Sequence, residues 1–261
     1  MNNTFLIFLF IAITAYSGYS LRLLTLSGSV AAFLIGLAVS LGFGLKGLLI
    51  LGFFFASSSF WSKYKRQNKA KIEERHEKGS RRDWQQVAAN GGTAALFSLL
   101  YYFSPHTIWI VGFSISIAAA NSDTWASEIG SLSKRPPFFI RSWKRISAGT
   151  SGAVSLLGTI AAIIGAFLIA FLSFYFFPLT IMDAAVILLF GFLGNVIDTV
   201  FGAFLQAVYK CRNCGTEVEA TTHCGRQTKL QRGLVFMNND FVNYLSGFLA
   251  ALLGILFIWI K

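Results

Sequence analysis

Two acidic side chains follow an apolar run in the stretch Asn-Ser-Asp-Thr-Trp-Ala-Ser-Glu-Ile-Gly at residues 121–130. Asp123 and Glu128 come directly after Ile108–Ala120, which has the composition of a membrane segment. Carboxylates at such a place are costly to desolvate and usually mark a functional site. Clustered acids repel one another unless a cation lies among them, and Mg²⁺ prefers oxygen ligands. We therefore predict a magnesium site held by Asp123, Glu128 and Asp198.

A second polar group interrupts the long apolar segment Thr180–Tyr209. Its small and polar residues recur at steps of three or four, which predicts one face of a helix that is otherwise apolar. An acid on that face would be costly if it faced lipid, so the face should point into the bundle. The residues of this stripe are Gly191, Asn195, Asp198, Gly202 and Gln206.

Amide and basic side chains near the same membrane face could hold phosphate oxygens. Phosphoryl transfer depends mainly on positioning, a metal ion and positive charge on the developing anion. A proton or cation pathway would use intramembrane acids too, so the residues alone leave phosphate chemistry and transport open. The candidates are Asn121, Asn195, Asn239, Asp240, Asn243, Arg81, Arg82, Lys134, Arg141, Arg145 and Arg232.

All three cysteines lie in one basic loop, and the reducing conditions of a cytoplasmic location argue against a structural disulfide there. With one histidine they form a set of four soft ligands: Cys211, Cys214, His223 and Cys224. Such a set could close a zinc site, although the adjacent pair His223-Cys224 makes tetrahedral closure awkward. The alternative is a loop with ordinary reduced thiols and a polar histidine.

Composition predicts an all-α, polytopic transmembrane bundle. The chain has 261 residues, 55% hydrophobic and only 13% charged, and apolar runs recur along its length. Nineteen of the 22 Lys and Arg residues lie in three segments, Lys63–Arg82, Lys134–Arg145 and Lys210–Arg232, which the positive-inside rule assigns to the cytoplasm. Nucleic-acid binding is not expected, because no soluble domain presents a basic face.

The apolar runs predict about eight spans, with six to ten compatible with the pattern. Phe5–Leu21 is interpreted as a retained membrane helix, because no basic residue precedes it as in a signal peptide. We expect one integral membrane domain over 1–261, with scaffold helices in 1–62 and cytoplasmic loops at 63–83, 131–147 and 210–240. Both termini should then lie outside, with the cell membrane as the expected location. The other predicted spans are Leu23–Leu41, Leu45–Phe60, Val87–Phe103, Ile108–Ala120, a helix ending at Phe177, Thr180–Tyr209 and Phe241–Ile260.

Two local expectations concern the site. Asp123 and Glu128 are five residues apart, which one helix would separate by about 140°. We therefore expect the helix to end or unwind between them. Ser151, Ser155 and Thr159 are spaced four apart and are expected to share one helix face.

The motif at 121–130 resembles that of an integral membrane family known as domain of unknown function 92, which includes phytyl-phosphate kinases of tocopherol synthesis. Gln86–Gly92, Gly149–Thr159, Gly194–Gln206 and residues 239–243 are similar to the same family. The resemblance implies CTP-dependent phosphorylation of an isoprenyl monophosphate to the diphosphate. It also implies metal and nucleotide roles for Asn121, Asp123, Glu128, Asn195, Asp198 and Asp240. Ser151 and Ala153 depart from the family, where Asn and Gly are expected.

The sequence therefore predicts an isoprenyl-phosphate kinase that uses CTP and Mg²⁺ at the cytoplasmic face. Its partners would be a lipid-soluble isoprenyl phosphate, CTP and the membrane. A transporter or flippase of a lipid phosphate or small anion is the alternative, and a structural or assembly protein is a third reading.

Overall fold

The computed structural model describes residues 3–65, 67, 69, 78–79 and 81–260, and this part of the chain forms seven helices and eight short strands. Most of the first basic segment therefore lies outside the described residues. The helices are α1 (Asn3–Ser20), α2 (Leu26–Lys63), α3 (Trp84–Phe103), α4 (Thr107–Gly130), α5 (Leu156–Phe176), α6 (Ile181–Phe204) and α7 (Asn239–Ile260).

The long helix α2 reverses direction at Gly44, whose φ of 57° and ψ of −146° are not helical. Only glycine adopts such a backbone conformation readily. The reversal brings Gly28, near one end of α2, and Ser59, near the other, against the same residue, Arg82. Two antiparallel halves result, and the link predicted at Gly42–Gly44 coincides with the turn between them.

Helix α4 is the centre of the bundle and packs against α2, α3, α5, α6 and α7. Its apolar half, Ile110–Ala119, is buried throughout, as expected for a helix surrounded by other helices. Small residues allow α6 to approach closely: Gly191 lies against Ala118 and Gly194 against Ala119. The polar end of α4, with Asp123, is therefore held rigidly at one end of the bundle.

Short strands occupy the connections that were predicted as basic loops. Between α4 and α5, β1 (Phe138–Phe139) pairs antiparallel with β2 (Lys144–Arg145) and β3 (Ala153–Val154). Between α6 and α7, β4 (Val208–Lys210) pairs antiparallel with β5 (Glu217–Val218) and β8 (Lys229–Arg232), while β6 (Thr222–His223) pairs with β7 (Arg226–Gln227). The predicted all-α class holds for the bundle but missed these strands, because runs this short have no period to detect.

Four described helices, α2, α5, α6 and α7, are long and apolar enough to cross a membrane. A count of about eight spans is not supported on that criterion. Helix α1 is shorter, and α3 and α4 carry polar residues at one end, such as Gln86 and Asp123. The structure is a mostly helical membrane protein whose polar helix ends gather on one side.

Candidate functional site

A cavity of about 330 Å³ lies at the end of the bundle beside the basic connections. It is bordered by α3 to α7, by the segment after β2 and by parts of the chain near β5. Many of the residues predicted from sequence line it together: Arg82, Asp123, Glu128, Asn195, Asp198, Asn239, Asp240 and Asn243. The polar ends of separate helices therefore converge on one space.

Asp123 from α4 and Asp198 from α6 both face this cavity and interact electrostatically with each other. Asp198 Oδ2 accepts a hydrogen bond from Ser246 Oγ at 3.1 Å. Asn243, in the amide orientation that satisfies its neighbours, donates to the same oxygen at 2.9 Å. Within the described part of the chain, no side chain hydrogen-bonds or ion-pairs with the carboxylate of Asp123. Two close carboxylates, one of them unpartnered, favour a bound cation.

Glu128 lies at the same cavity but has partners of its own. Its Oε2 is 2.7 Å from Nζ of Lys69, and its Oε1 accepts a hydrogen bond from Ser62. Helix α4 is continuous from Thr107 to Gly130, so the predicted unwinding between Asp123 and Glu128 is wrong. In the continuous helix, Glu128 turns toward Ser62 of α2 and Lys69 rather than toward Asp198 of α6.

Asn121 is fully buried and lies outside the cavity lining. Its Nδ2 donates to the carbonyl of Gly165 on α5 at 2.8 Å, and its Oδ1 accepts from Ser57 of α2 at 3.2 Å. Trp125 Nε1 donates to the same serine. Asn121 therefore joins three helices behind the site, and its contacts are those of a positioning residue.

The segment Gly149–Gly152 forms one wall of the cavity and is not helical. Gly149 and Gly152 both have positive φ, 83° and 84°, and a side chain at Gly152 would overlap Ala203 of α6. Helix α5 begins only at Leu156, after Ser155 as its N-cap. The prediction that Ser151, Ser155 and Thr159 share a helix face is therefore wrong. The positive φ angles of Gly149 and Gly152 keep the segment that contains Ser151 out of the helix.

Ser151, Gln206 and Glu219 form a hydrogen-bonded cluster beside this wall. Glu219 Oε1 accepts from Ser151 Oγ at 2.7 Å and from Gln206 Nε2 at 2.8 Å. Helix α6 ends at Phe204, so Gln206 follows the helix and is not part of the predicted stripe. Sequence reasoning missed Glu219 because it lies in a loop with no apolar pattern around it.

The basic residues divide into those at the cavity and those elsewhere. Lys78 binds Asp240 and Asp83, and it lines the cavity with Arg82 and Lys69. Burial opposes its charge, but hydrogen bonds to Asp240 and Asp83 leave the pKa of Lys78 raised. Sequence reasoning did not single out Lys69 or Lys78, since nothing distinguishes them within a run of lysines. Their acidic partners are distant in sequence.

Other predicted basic residues lie outside the cavity lining. Arg81 donates to the carbonyl of Leu24, Lys134 is exposed, and Arg145 donates to the carbonyl of Pro136 and stacks on Phe138. Arg232 donates to the carbonyls of Gly202, Ala203 and Ser151, which ties the end of α6 to the cavity wall. Arg141 lies over the ring of Phe204. These contacts are structural in kind.

Three helix N-termini face the cavity. Gln86 of α3, Gly158 of α5 and Asn239 of α7 all line it from the first turn of their helices. The N-terminus of a helix carries partial positive charge, which favours anions, although capping side chains already accept from one N–H group in each of these first turns. The C-terminal ends of α4 and α6 meet the same space and favour cations. The arrangement of the helices therefore suits an anion and a cation bound side by side in the cavity.

The four predicted zinc ligands lie together in the connection between α6 and α7, outside this cavity lining. Asp183 lies away from the site, where it forms a capping box with Thr180 at the start of α6. The donor set around Asp123 and Asp198 consists of oxygen atoms from carboxylates, amides and hydroxyls, which fits Mg²⁺ and not a thiolate-seeking metal.

Comparison with known proteins agrees with this architecture. The family model for integral membrane protein DUF92 matches residues 9–251. Protein PGR of Arabidopsis thaliana is 28% identical over 93% of this chain and 91% of its own length. An uncharacterised membrane protein of Methanocaldococcus jannaschii is 28% identical, covering 90% of this chain and 86% of its own. Protein VTE6, chloroplastic, of Arabidopsis thaliana is 25% identical over 89% of this chain and 65% of its own length. No solved structure matches the chain.

Proposed function

The chain belongs to the DUF92 family of integral membrane proteins, and on that premise we propose that it is a phosphotransferase acting on an isoprenyl monophosphate. The donor would be CTP, and the product would be the isoprenyl diphosphate. The resemblance of the 121–130 motif to the phytyl-phosphate kinases supports the acceptor class, and similarity to VTE6 over most of the chain supports the same choice.

One observation carries the proposal: Asp123 and Asp198, from two different helices, face one cavity into which three helix N-termini also point. Carboxylates attract cations, whereas helix N-termini attract anions. A metal–phosphate complex uses both at once, with its cation on the acids and its phosphates near the positively charged helix ends. A cavity of about 330 Å³ is within the usual range for a small-molecule site.

The metal would be Mg²⁺, held by Asp123 and Asp198 with oxygen atoms of Asn195 and Thr199 nearby at the cavity. When bound, it would neutralise phosphate oxygens of the donor. Glu128 is assigned instead to orienting Lys69, because its two oxygens already bind Ser62 and Lys69. Lys69, Lys78 and Arg82 would place positive charge along the path of the transferred group.

The chemical step needs no general base from the chain. An anionic oxygen of the acceptor monophosphate attacks the γ-phosphorus of the nucleotide, and a new P–O bond forms there. The bond from that phosphorus to the β–γ bridging oxygen breaks, and the nucleoside diphosphate leaves with the electron pair. The protein's contribution is to hold the reacting phosphates in line and to stabilise their charge.

A lipid acceptor fits the apolar surfaces next to the cavity. Leu234, Val235 and Phe236 are consecutive, exposed and apolar, and they precede Asn239 of the cavity by only a few residues. The outer face of α5 is also exposed and apolar, from Leu156 to Phe171. Such surfaces are suited to hydrocarbon, so an isoprenyl chain could lie in the membrane while its phosphate enters the cavity. The basic connections would then face the cytoplasm.

The test is a panel with the full chain purified in detergent. Phytyl phosphate, geranylgeranyl phosphate and a short-chain prenyl phosphate are each given with CTP, ATP, GTP or UTP, with and without Mg²⁺. Diphosphate formation with CTP and Mg²⁺, and its absence with EDTA, is the expected result. Absence of product throughout the panel would overturn the kinase. Movement of a prenyl phosphate across proteoliposomes without nucleotide consumption would instead favour the transporter alternative.

A further inference from the structure

The connection between α6 and α7 brings four metal-binding side chains together. The ligand atoms of Cys211, Cys214, His223 and Cys224 lie within 4.8 Å of one another. Nδ1 of His223 is 3.5 Å from Sγ of Cys214 and 3.2 Å from Sγ of Cys224, and these two sulfurs are 3.9 Å apart. A tetrahedral zinc ion with ordinary bond lengths would separate its ligands by roughly 3.4–3.8 Å. The fold therefore brings the adjacent residues His223 and Cys224 to positions that are compatible with a tetrahedral site.

The backbone at both ends of the cluster is shaped for ligation. Asn213 donates its N–H to Sγ of Cys211 at 3.4 Å, and Gly215, with φ of 72°, closes the turn by donating to the carbonyl of Cys211 at 3.1 Å. Donors aimed at a cysteine sulfur stabilise its thiolate form. This turn directs the side chains of Cys211 and Cys214 to one side of the chain.

The hairpin from β6 to β7 contributes the other two ligands, and it contains an unusual conformation. Its two loop residues are Cys224 and Gly225, both with positive φ, 52° and 70°. Tight hairpins of this kind favour Asn or Gly at the first loop position, and a cysteine there is strained. Such strain persists where the surrounding structure compensates for it, often at functional sites. A metal bond from Cys224 would provide that compensation.

The charges near the cluster also favour metal binding. Three thiolates with one neutral histidine and a divalent ion carry a net charge of −1. Basic residues lie near the ligands at both ends of the cluster in sequence, Lys210 and Arg212 around Cys211 and Arg226 after Cys224, while Glu217 and Glu219 lie between them. Nearby positive charge lowers the cost of forming thiolates.

We propose that Cys211, Cys214, His223 and Cys224 bind one Zn²⁺ as a structural site. Four protein ligands leave no open position for water, so this ion would take no part in chemistry. The site closes the loop that carries Glu219, which hydrogen-bonds Ser151 and Gln206 at the cavity wall. Zinc would thereby hold Glu219 in place, and the site exists whether or not the phosphotransferase proposal is correct.

The experiment measures metal in the full chain, purified in detergent under reducing conditions with any histidine tag removed. Elemental analysis after dialysis against metal-free buffer should give one zinc per chain. His223→Asn and Cys224→Ser should lose it, whereas His106→Asn, on the far side of the bundle, should keep it. Wild-type protein without zinc, with iron instead, or with a mass 2 Da low from a Cys214–Cys224 disulfide would overturn the proposal.

A second measurement does not depend on variants that fold. In wild-type protein, the three thiols should react with a thiol reagent only after a strong chelator extracts the metal. Extraction should also make the chain between β4 and β8 susceptible to limited proteolysis, and added zinc should restore resistance. Immediate reaction of all three thiols, with no metal released, would contradict a zinc site. Neither readout involves nucleotide or prenyl phosphate, so failure of the kinase assay would leave the zinc result unaffected.

Discussion

Lys69 Nζ lies 2.7 Å from Oε2 of Glu128, and the lysine is only 4% exposed. This ion pair removes Glu128 from the set of free acids and leaves Asp123 and Asp198 as the two interacting acids that line the cavity. A buried lysine without its acid, or the acid without its lysine, would be an uncompensated charge. Asp123 and Glu128, which the sequence suggested share one metal, therefore have different roles: Asp123 is free to bind a cation, and Glu128 pairs with Lys69.

Removing either member of this pair should destabilise the protein. Glu128→Gln and Lys69→Met are each expected to lower the free energy of unfolding by about 1–3 kcal/mol, because each leaves a buried or half-buried charged group without its charge partner. The double variant should recover part of the loss. Thermal unfolding in detergent measures this. In Glu128→Gln, the Mg²⁺ concentration that gives half-maximal activity should also stay at the wild-type value. A large rise in that concentration would indicate that Glu128 is a metal ligand after all.

Neutralising the two facing acids should abolish most of the activity with little effect on folding. Asp123→Asn and Asp198→Asn are each expected to lower kcat by about 100-fold or more, the size of effect seen when one preorganised electrostatic contact is removed. Steady-state kinetics with CTP and a prenyl phosphate measure this. The matched control is Asp183→Asn at the far end of α6. Equal loss of activity in all three variants would argue for a general effect of charge removal.

Gly152 should not tolerate a side chain. Gly152→Ala would combine an unfavourable positive φ with overlap onto Ala203, so the protein should lose both stability and activity. Gly215→Ala is the matched variant, because Gly215 also has positive φ but a Cβ there meets no atom within 4 Å. The difference in melting temperature between the two variants isolates the close approach of the cavity wall to α6. Equal melting temperatures would mean that the wall can move away from α6 at little cost.

Glu219 is expected to act through hydrogen bonding rather than through its charge. Glu219→Ala removes the acceptor for Ser151 and Gln206 and should raise the KM for nucleotide by about ten-fold, equivalent to roughly 1.4 kcal/mol. Glu219→Gln keeps a carbonyl acceptor and should stay close to the wild-type value. A Glu219→Gln variant as impaired as Glu219→Ala would instead show that the negative charge itself is required.

The contacts of Lys78 predict a pH window for stability. Burial opposes the charge of both groups, but the hydrogen bond from Lys78 leaves the pKa of Asp83 lowered from 3.8, and hydrogen bonds to Asp240 and Asp83 leave that of Lys78 raised from 10.5. The Asp83 contribution is present above pH 3.8 and is lost as pH falls through its lowered pKa, and the Lys78 contribution is lost as pH rises above 10.5. Lys78→Met should therefore lower the melting temperature at neutral pH. The difference from wild type should shrink below about pH 4. A difference that is constant with pH would contradict an ionic origin.

The membrane class and most residues of the candidate site could be predicted from the sequence. Apolar runs define membrane helices because lipid demands apolar surface, and acids or amides within such runs are costly enough to stand out. That logic identified Asp123, Asp198, Asn195 and Asp240, all of which line the cavity. It also placed a turn at Gly42–Gly44. It failed for the span count: α1 is shorter than a span, and the predicted spans Leu23–Leu41 and Leu45–Phe60 fall mostly within the single helix α2.

Only the tertiary structure decided how those residues are paired. Lys69 and Glu128, or Glu219 and Gln206, meet through helix packing and short antiparallel strands, and no local period records such contacts. The same holds for Glu128 in α4: its partners are Ser62 of α2 and Lys69, which the spacing of two acids cannot reveal. Periodicity reports which side of an element is apolar, but long-range packing determines which polar groups share one space.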